Sequence, residues 1–272
     1  MHFDAHVHSA ASPDSELAPE DAIQALKSKG LGIAFTEHVD YIAPATGMDT
    51  NAKDAPKSPF DNDFAYNTNI YPSQYIHLRN PNSVLIGVEI GLNIAFHPLN
   101  SQLASHDFDF VLGAVHYVNG VDIYHSSKHM DPESFCRDYL TYSKEMVEYS
   151  GFFDAFAHID YITRYNNGIE KIFYYKNYPN EFDDLLQAIA ERELAMEINT
   201  NRMSNPNVVA QLLPIYKRFY ELGGRYVTIG SDAHSIGALG RYYKNALGLA
   251  SMAKLTPVYY SERKRHKCEG GL

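Results

Sequence analysis

Two short polar pairs stand at opposite ends of this chain: His6 and His8 in Asp4-Ala5-His6-Val7-His8, and Asp232 and His234 in Gly230-Ser231-Asp232-Ala233-His234. In extended backbone, residues two apart project to the same side, so both members of a pair can address one ion. Between the pairs, His38 closes Phe35-Thr36-Glu37-His38, His116 follows Gly113-Ala114-Val115, and His158 opens His158-Ile159-Asp160. Glu89 lies inside the apolar run Gly87-Val88-Glu89-Ile90-Gly91, where an acid needs a partner or a cation. Asp14, in Ser12-Pro13-Asp14-Ser15, sits in a turn context where a carboxylate either caps the next helix or faces an ion.

Taken singly, each of these groups is explained as well by a hydrogen-bonded core residue. Collectively they are not. Six histidines and three carboxylates (His6, His8, Asp14, His38, Glu89, His116, His158, Asp232 and His234) recur at the ends of successive apolar runs. Gathering so many ionisable groups without cations costs several kcal/mol per charge, on the order of the effective penalty for buried ions. Nine ligands exceed one coordination sphere and suit two or three divalent ions. Imidazole and carboxylate without thiolate point to Zn, Mn or Fe. Two arginines, Arg164 and Arg202, follow just behind His158 and the run ending at Asn199. Their planar forks suit phosphate oxygens, and the alternative is pairing with a nearby acid such as Asp160.

The elements that must position these groups are seven apolar runs: Met1 to His6, Gly32 to His38, Val84 to Glu89, Phe110 to His116, Phe153 to His158, Leu194 to Asn199 and Tyr226 to Asp232. Runs of this length, bounded by Gly or polar residues, predict buried parallel strands. Helical signals fill the gaps over Ala22 to Lys29, opened by Pro19 and closed by Gly30, and over 132–149, 181–192 and 206–222. The alternation predicts an α/β fold, and polar groups at the C-terminal ends of seven strands favour a distorted barrel over an open doubly wound sheet. Residues 41–83 form a long interruption, loop-like from Ala43 to Phe60, partly helical from Asp61 to Leu78 with a break near Pro72, and placed to serve as a lid or pocket wall. Otherwise the chain reads as one domain. The basic run Arg263-Lys264-Arg265-His266-Lys267 reads as a solvated tail.

The 272 residues carry a formal charge of −10, with 33 Asp and Glu against 23 Lys and Arg. That balance argues against broad nucleic-acid binding, which rests on Lys and Arg neutralising phosphates. Cys136 and Cys268 make neither a disulfide framework nor a metal pair, and no run is long enough to span a bilayer. With no basic and apolar leader at the start, a reducing cytoplasm is expected, as a monomer or homodimer.

As an ordered set, Asp4-Ala5-His6-Val7-His8-Ser9, Thr36-Glu37-His38, Gly87-Val88-Glu89-Ile90-Gly91, His116, His158-Ile159-Asp160 and Ser231-Asp232-Ala233-His234 resemble the signature blocks of the polymerase-and-histidinol-phosphatase (PHP) family. The resemblance runs from residue 3 to about residue 250 and implies a distorted (β/α)7 TIM-like barrel with a trinuclear metal centre. It implies that His6, His8, Glu89 and Asp232 hold a first ion, that Glu89 bridges to a second with His116 and His158, and that Asp14, His38 and His234 hold a third. It assigns catalytic roles to Glu89, Asp232 and His234. Aspartate at position 14, and Arg164 and Arg202, are similar to the branch hydrolysing L-histidinol phosphate in histidine biosynthesis. The expected reaction is direct, in-line hydrolysis of a small phosphate monoester by metal-activated water. Rival expectations are a nucleoside bisphosphate or phosphotyrosine substrate, or a metal-dependent amidohydrolase.

Overall fold

Seven of the apolar runs become parallel strands in the computed structural model, which describes residues 1–41 and 70–269. In chain order the strands are β1 (Phe3–Val7), β2 (Gly32–Val39), β3 (Val84–Gly91), β4 (Phe110–Ala114), a small hairpin of β5 (Tyr117–Val118) and β6 (Val121–Asp122), β7 (Ala155–Phe156), β8 (Ala195–Asn199), β9 (Tyr226–Gly230), β10 (Thr256–Ser261) and β11 (Lys264–Lys267). The main sheet runs β1-β2-β3-β4-β7-β8-β9, parallel throughout. It closes on itself where Val7 bridges Ala233 in parallel, His8 N donates to Ala233 O at 3.0 Å and Asp232 N donates to His6 O at 2.8 Å. The expected distorted (β/α)7 barrel is what forms.

The helices are α1 (Pro19–Ser28), α2 (Ile70–Tyr75), α3 (His97–Ala104), α4 (Ile123–Ser126), α5 (Pro132–Tyr149), α6 (Asn167–Ile172), α7 (Pro179–Glu191), α8 (Pro206–Glu221) and α9 (Tyr243–Met252). Their starts follow local chemistry. Asp131 accepts from Ser134 N ahead of Pro132 in α5, and Asn205 accepts from Asn207 N ahead of Pro206 in α8. Of the stretch expected to be partly helical from Asp61 to Leu78, Ile70–Tyr75 forms α2 with Pro72 inside it, and the residues before Ile70 lie outside the described residues.

Strand alternation divides the core in two. Ile86, Val88 and Ile90 of β3, Val111 of β4, and Met196 and Ile198 of β8 face the helices in one large buried cluster. Each such side chain contributes about 1.5–3 kcal/mol by burial. The barrel bore is narrower and is filled by Ala5, Phe110, Leu112, Ala114, Ala155, Ala157 and Ala195, together with Val258 and Tyr260 of β10. Small residues leave room there for the polar groups above them.

The C-terminal segment corrects the expectation of a solvated tail. β10 pairs in parallel with the start of β9 and turns back through Glu262 and Arg263 into β11. The Tyr260 ring stacks on Phe110 and Tyr259 packs on Phe3, so the hairpin floors the barrel. Glu262 and Arg263 both adopt left-handed backbone, at φ 51° and 61°. Such a turn costs roughly 1–2 kcal/mol per non-glycine residue. It is offset by Glu262 N donating to Asp109 Oδ1, and by the Arg263 guanidinium, which donates to Asp154 Oδ2 at 2.6 Å and to the carbonyls of Ala104 and Phe152. The side chains of Lys264 to Lys267 remain exposed, as a basic run should. Among the described residues no helix is long and apolar enough to cross a membrane. Most of the expected lid, residues 42–69, lies outside the described residues.

Candidate metal centre

Each strand end delivers its polar group to the same mouth of the barrel. His6 and His8 come from the end of β1, His38 from β2, Glu89 from β3, His116 from just past β4, His158 from just past β7, and Asp232 and His234 from the turn after β9. Asp232 itself sits at φ 53°, a left-handed conformation that is uncommon for Asp and clusters at functional sites. It lets one residue close the barrel with its N–H and turn its carboxylate onto the neighbouring histidines.

Glu89 is fully buried at the middle. Its Oε1 lies 2.7 Å from His158 Nε2 and 3.4 Å from His116 Nε2; its Oε2 lies 3.2 Å from His6 Nε2, 2.9 Å from His38 Nδ1 and 3.5 Å from His8 Nε2. Asp232 Oδ1 lies 3.4 Å from His8 Nε2 and 3.6 Å from His6 Nε2. Asp14 Oδ2 completes the outer edge, 3.1 Å from His234 Nε2 and 3.5 Å from His38 Nε2. Asp14 therefore faces histidines rather than a helix N-terminus, and α1 has no side-chain cap. Four sets of ligand atoms converge within 4.8 Å: His6, His8 and Asp232; His6, Glu89 and His158; His38, Glu89 and His116; and His8, His38 and His234.

The fields within the cluster are large and opposed. Burial would raise the Glu89 carboxyl, but His6, His38 and His116 hold it well below the usual range. Burial also opposes the low carboxyl of Asp232, which Arg164 and His6 secure. Burial would lower His6, but Glu197, Glu89 and Asp232 hold it well above an ordinary imidazole. His116 rises to about 9 against its burial because Asp40 and Glu89 face it. His8, by contrast, is pushed well below by burial and by His38. The carboxylates draw protons onto some imidazoles and the crowding expels them from others. Divalent cations resolve both demands at once.

Four of the outer ring nitrogens are held. His6 Nδ1 is 2.6 Å from Glu197 Oε1, His8 Nδ1 is 3.3 Å from Ser12 Oγ, His116 Nδ1 is 2.9 Å from Asp40 Oδ1, and His234 Nδ1 is 3.1 Å from Asp232 O. In each case Nε2 is left facing the cluster. Ser12 in turn donates to the buried carboxylate of Glu37, which also accepts from the N–H and hydroxyl of Ser9 and so fixes the loop carrying Asp14. Glu197, Asp40 and Glu37 were not singled out from sequence. Glu197 had a readable signal, an acid inside a buried run as Glu89 is. Asp40 had none, since its partner lies two strands away.

The two arginines part company. Arg164 lies over the Tyr161 ring and donates through Nη1 to Asp232 Oδ2 at 2.7 Å, while its buried Nε and Nη2 have no hydrogen-bond partner among the described residues. Arg202 spends its fork elsewhere, with Nη1 on Asp160 and Nη2 on Glu170, each at 2.7 Å. Thus Asp160 pairs with Arg202, not with Arg164. His125, whose Nδ1 lies 2.9 Å from Asp122, is exposed, as is His129.

A PHP domain model matches residues 4–201. The chain belongs to the PHP domain family. The PHP relatives it resembles include a protein of Clostridium acetobutylicum named "Probable histidinol-phosphatase", 37% identical over 266 residues, covering 97% of this chain and 98% of that one. The histidinol-phosphatase of Lactococcus lactis subsp. lactis is 29% identical over 241 residues, covering 85% and 84% of the two chains. Among solved structures, the PHP barrel superposes on the Lactococcus lactis histidinol phosphate phosphatase, crystallised with zinc, L-histidinol and phosphate, at a TM-score of 0.78. That match has 27% identity and covers 98% of this chain and 99% of the other.

Proposed function

We propose that this protein is a phosphomonoester hydrolase that converts L-histidinol phosphate and water to L-histidinol and phosphate, the phosphatase step of histidine biosynthesis. The observation that carries this reading is Arg164: a buried guanidinium anchored to Asp232 of the cluster, with two donors unpartnered among the described residues. Unpaired buried donors of this kind are costly unless a ligand supplies acceptors, and a phosphoryl group does. The relatives' names agree with it.

The donor set of imidazoles and carboxylates fits two or three divalent ions, with zinc the first choice, because zinc is bound in the Lactococcus lactis protein. In this reading His6, His8, Glu89 and Asp232 hold one ion, Glu89, His116 and His158 a second, and Asp14, His38 and His234 a third. Such ions supply Lewis-acid charge to phosphoryl oxygens and lower the pKa of water. The chain's own residues do the rest. Arg164 binds and orients the phosphoryl group through Nε and Nη2, and Tyr161 holds the guanidinium plane. Asp232 shares one oxygen with Arg164 and turns the other to the histidines, so phosphate position and the catalytic residues Glu89, Asp232 and His234 stay in register. Arg202, clamped by Asp160 and Glu170, approaches phosphate only if it gives up one of these pairs.

The test is phosphate release by zinc- or manganese-reconstituted protein, offered L-histidinol phosphate beside a nucleoside 3′,5′-bisphosphate, phosphotyrosine and an alkyl phosphate. Preference for L-histidinol phosphate with kcat/KM of about 10⁴ M⁻¹s⁻¹ or more is expected. Preference for another ester would overturn the substrate; no release from any would overturn the hydrolase reading.

A further inference from the structure

Two of the clustered histidines rest on carboxylates that are themselves seated where a neighbouring strand has no side chain. Asp40 follows directly on β2, and the register pairing Val39 with Ile90 sets Gly91 of β3 beside it. A Cβ added to Gly91 would overlap Asp40 Oδ1, the same oxygen that lies 2.9 Å from His116 Nδ1. On the other side of the barrel, Glu197 of β8 lies against Gly230 of β9. A Cβ there would overlap both Glu197 Oε1 and the Cβ of His6, and Oε1 is the oxygen 2.6 Å from His6 Nδ1. Neither glycine has a positive φ, so backbone conformation does not require it. Space does. The other Glu197 oxygen accepts His158 N–H at 2.8 Å, so one carboxylate braces groups from β1 and from the end of β7.

We infer that Asp40 and Glu197 are positioning residues of the metal centre, each held in a glycine notch that aims one imidazole: Gly91 for Asp40 and His116, Gly230 for Glu197 and His6. This rests on the metal-centre reading above. An Nδ1–H donated to a fixed carboxylate selects the tautomer whose Nε2 lone pair faces the ions and raises its basicity as a ligand. The notch is what gives the carboxylate room to sit against its imidazole. A methyl group at Gly91 therefore damages metal binding through Asp40 alone, whereas one at Gly230 presses on both Glu197 and His6, so Glu197→Gln isolates the carboxylate there.

The experiment compares full-length wild type, Gly91→Ala, Gly230→Ala, Asp40→Asn and Glu197→Gln in a competitive zinc titration against a chromophoric chelator. Ring ¹⁵N spectra of the zinc-loaded proteins and thermal melts of the metal-free proteins accompany it. Roughly 10–100-fold weaker zinc binding is expected for each variant. The ¹⁵N shifts of His116 should change in Gly91→Ala and Asp40→Asn, and those of His6 in Gly230→Ala and Glu197→Gln. The nearly isosteric Asn and Gln variants answer for any alanine variant that fails to fold. Wild-type zinc affinity and unchanged ring shifts in the folded variants overturn the inference. Wild type that binds no zinc overturns the metal-centre reading itself, and the inference with it.

Discussion

Arg164 and Asp232 share a 2.7 Å hydrogen bond from Nη1 to Oδ2, while Oδ1 of the same carboxylate stays 3.4 Å from His8 Nε2. One side chain thus faces both the arginine and the histidine cluster. Replacing Arg164 by Ala removes the phosphate donors and also frees an oxygen of Asp232. Arg164→Ala is expected to raise KM for the phosphate ester by 10-fold or more, the loss of about 1.4 kcal/mol of binding or greater. Bound metal should stay near the wild-type level. Steady-state kinetics beside elemental analysis separates the two, and loss of metal as large as in Asp232→Asn would refute a phosphate role.

Metal removal should cost stability. Without cations, the buried carboxylates of Glu89 and Asp232 are compensated among the described residues by imidazoles and Arg164, and the crowded cluster loses the charge that binds it together. Chelation is expected to lower Tm by roughly 5–10 °C, about 2–3 kcal/mol for a chain of this size. Readdition of zinc should restore it in a scanning melt.

The two thiols should be silent at pH 8. Burial pushes Cys136 up to about 12 and Cys268 up to about 11. A raised thiol pKa means the thiolate is scarce below that value, so alkylation falls as pH drops from 11 and is negligible at neutrality. Native protein treated with iodoacetamide at pH 8 should show little modification by mass spectrometry, and protein in denaturant should show two adducts. The same shift makes folding less favourable as pH rises from about 9 through about 12, since the unfolded thiols ionise first.

Arg263 should matter despite its place in a basic run near the C-terminus. Its guanidinium satisfies Asp154 and two carbonyls under the barrel. Arg263→Ala strands a largely buried carboxylate whose pKa burial already raises. A loss of about 1–3 kcal/mol is expected from urea titration. The neighbouring Lys264→Ala, exposed beside Glu262, should change stability by less than about 0.5 kcal/mol.

Much of the site was legible because its residues obey a local rule. Glu89 interrupts an apolar run, His6 and His8 share one side of a strand, and each strand end carries one polar group. What escaped was non-local or locally irregular. The hairpin from β10 to β11 turns on Glu262 and Arg263, without the Asn-Gly or Asp-Gly signal that marks such turns, because its strain is offset by Asp109 and Asp154 from distant strands. Arg202 stands three residues beyond Asn199 as the rim position suggested, but only folding shows Asp160 and Glu170 on its fork. Asp40 acquires meaning only when β3 and β4 bring Gly91 and His116 beside it.

The seam between β1 and β9 places the first-made and last-made polar groups of the cluster side by side, with Asp232 N on His6 O and His8 N on Ala233 O. His6 and Asp232 come from the first and the seventh strand of the barrel, so this seam forms only when the strands between them are in place. Until β9 arrives, β1 has an open edge and its two histidines lack Asp232 and His234. The part of the proposed cation site that uses Asp232 and His234 is therefore complete only once the barrel shuts, whereas His38, Glu89 and His116 come together from β2, β3 and β4 without that seam.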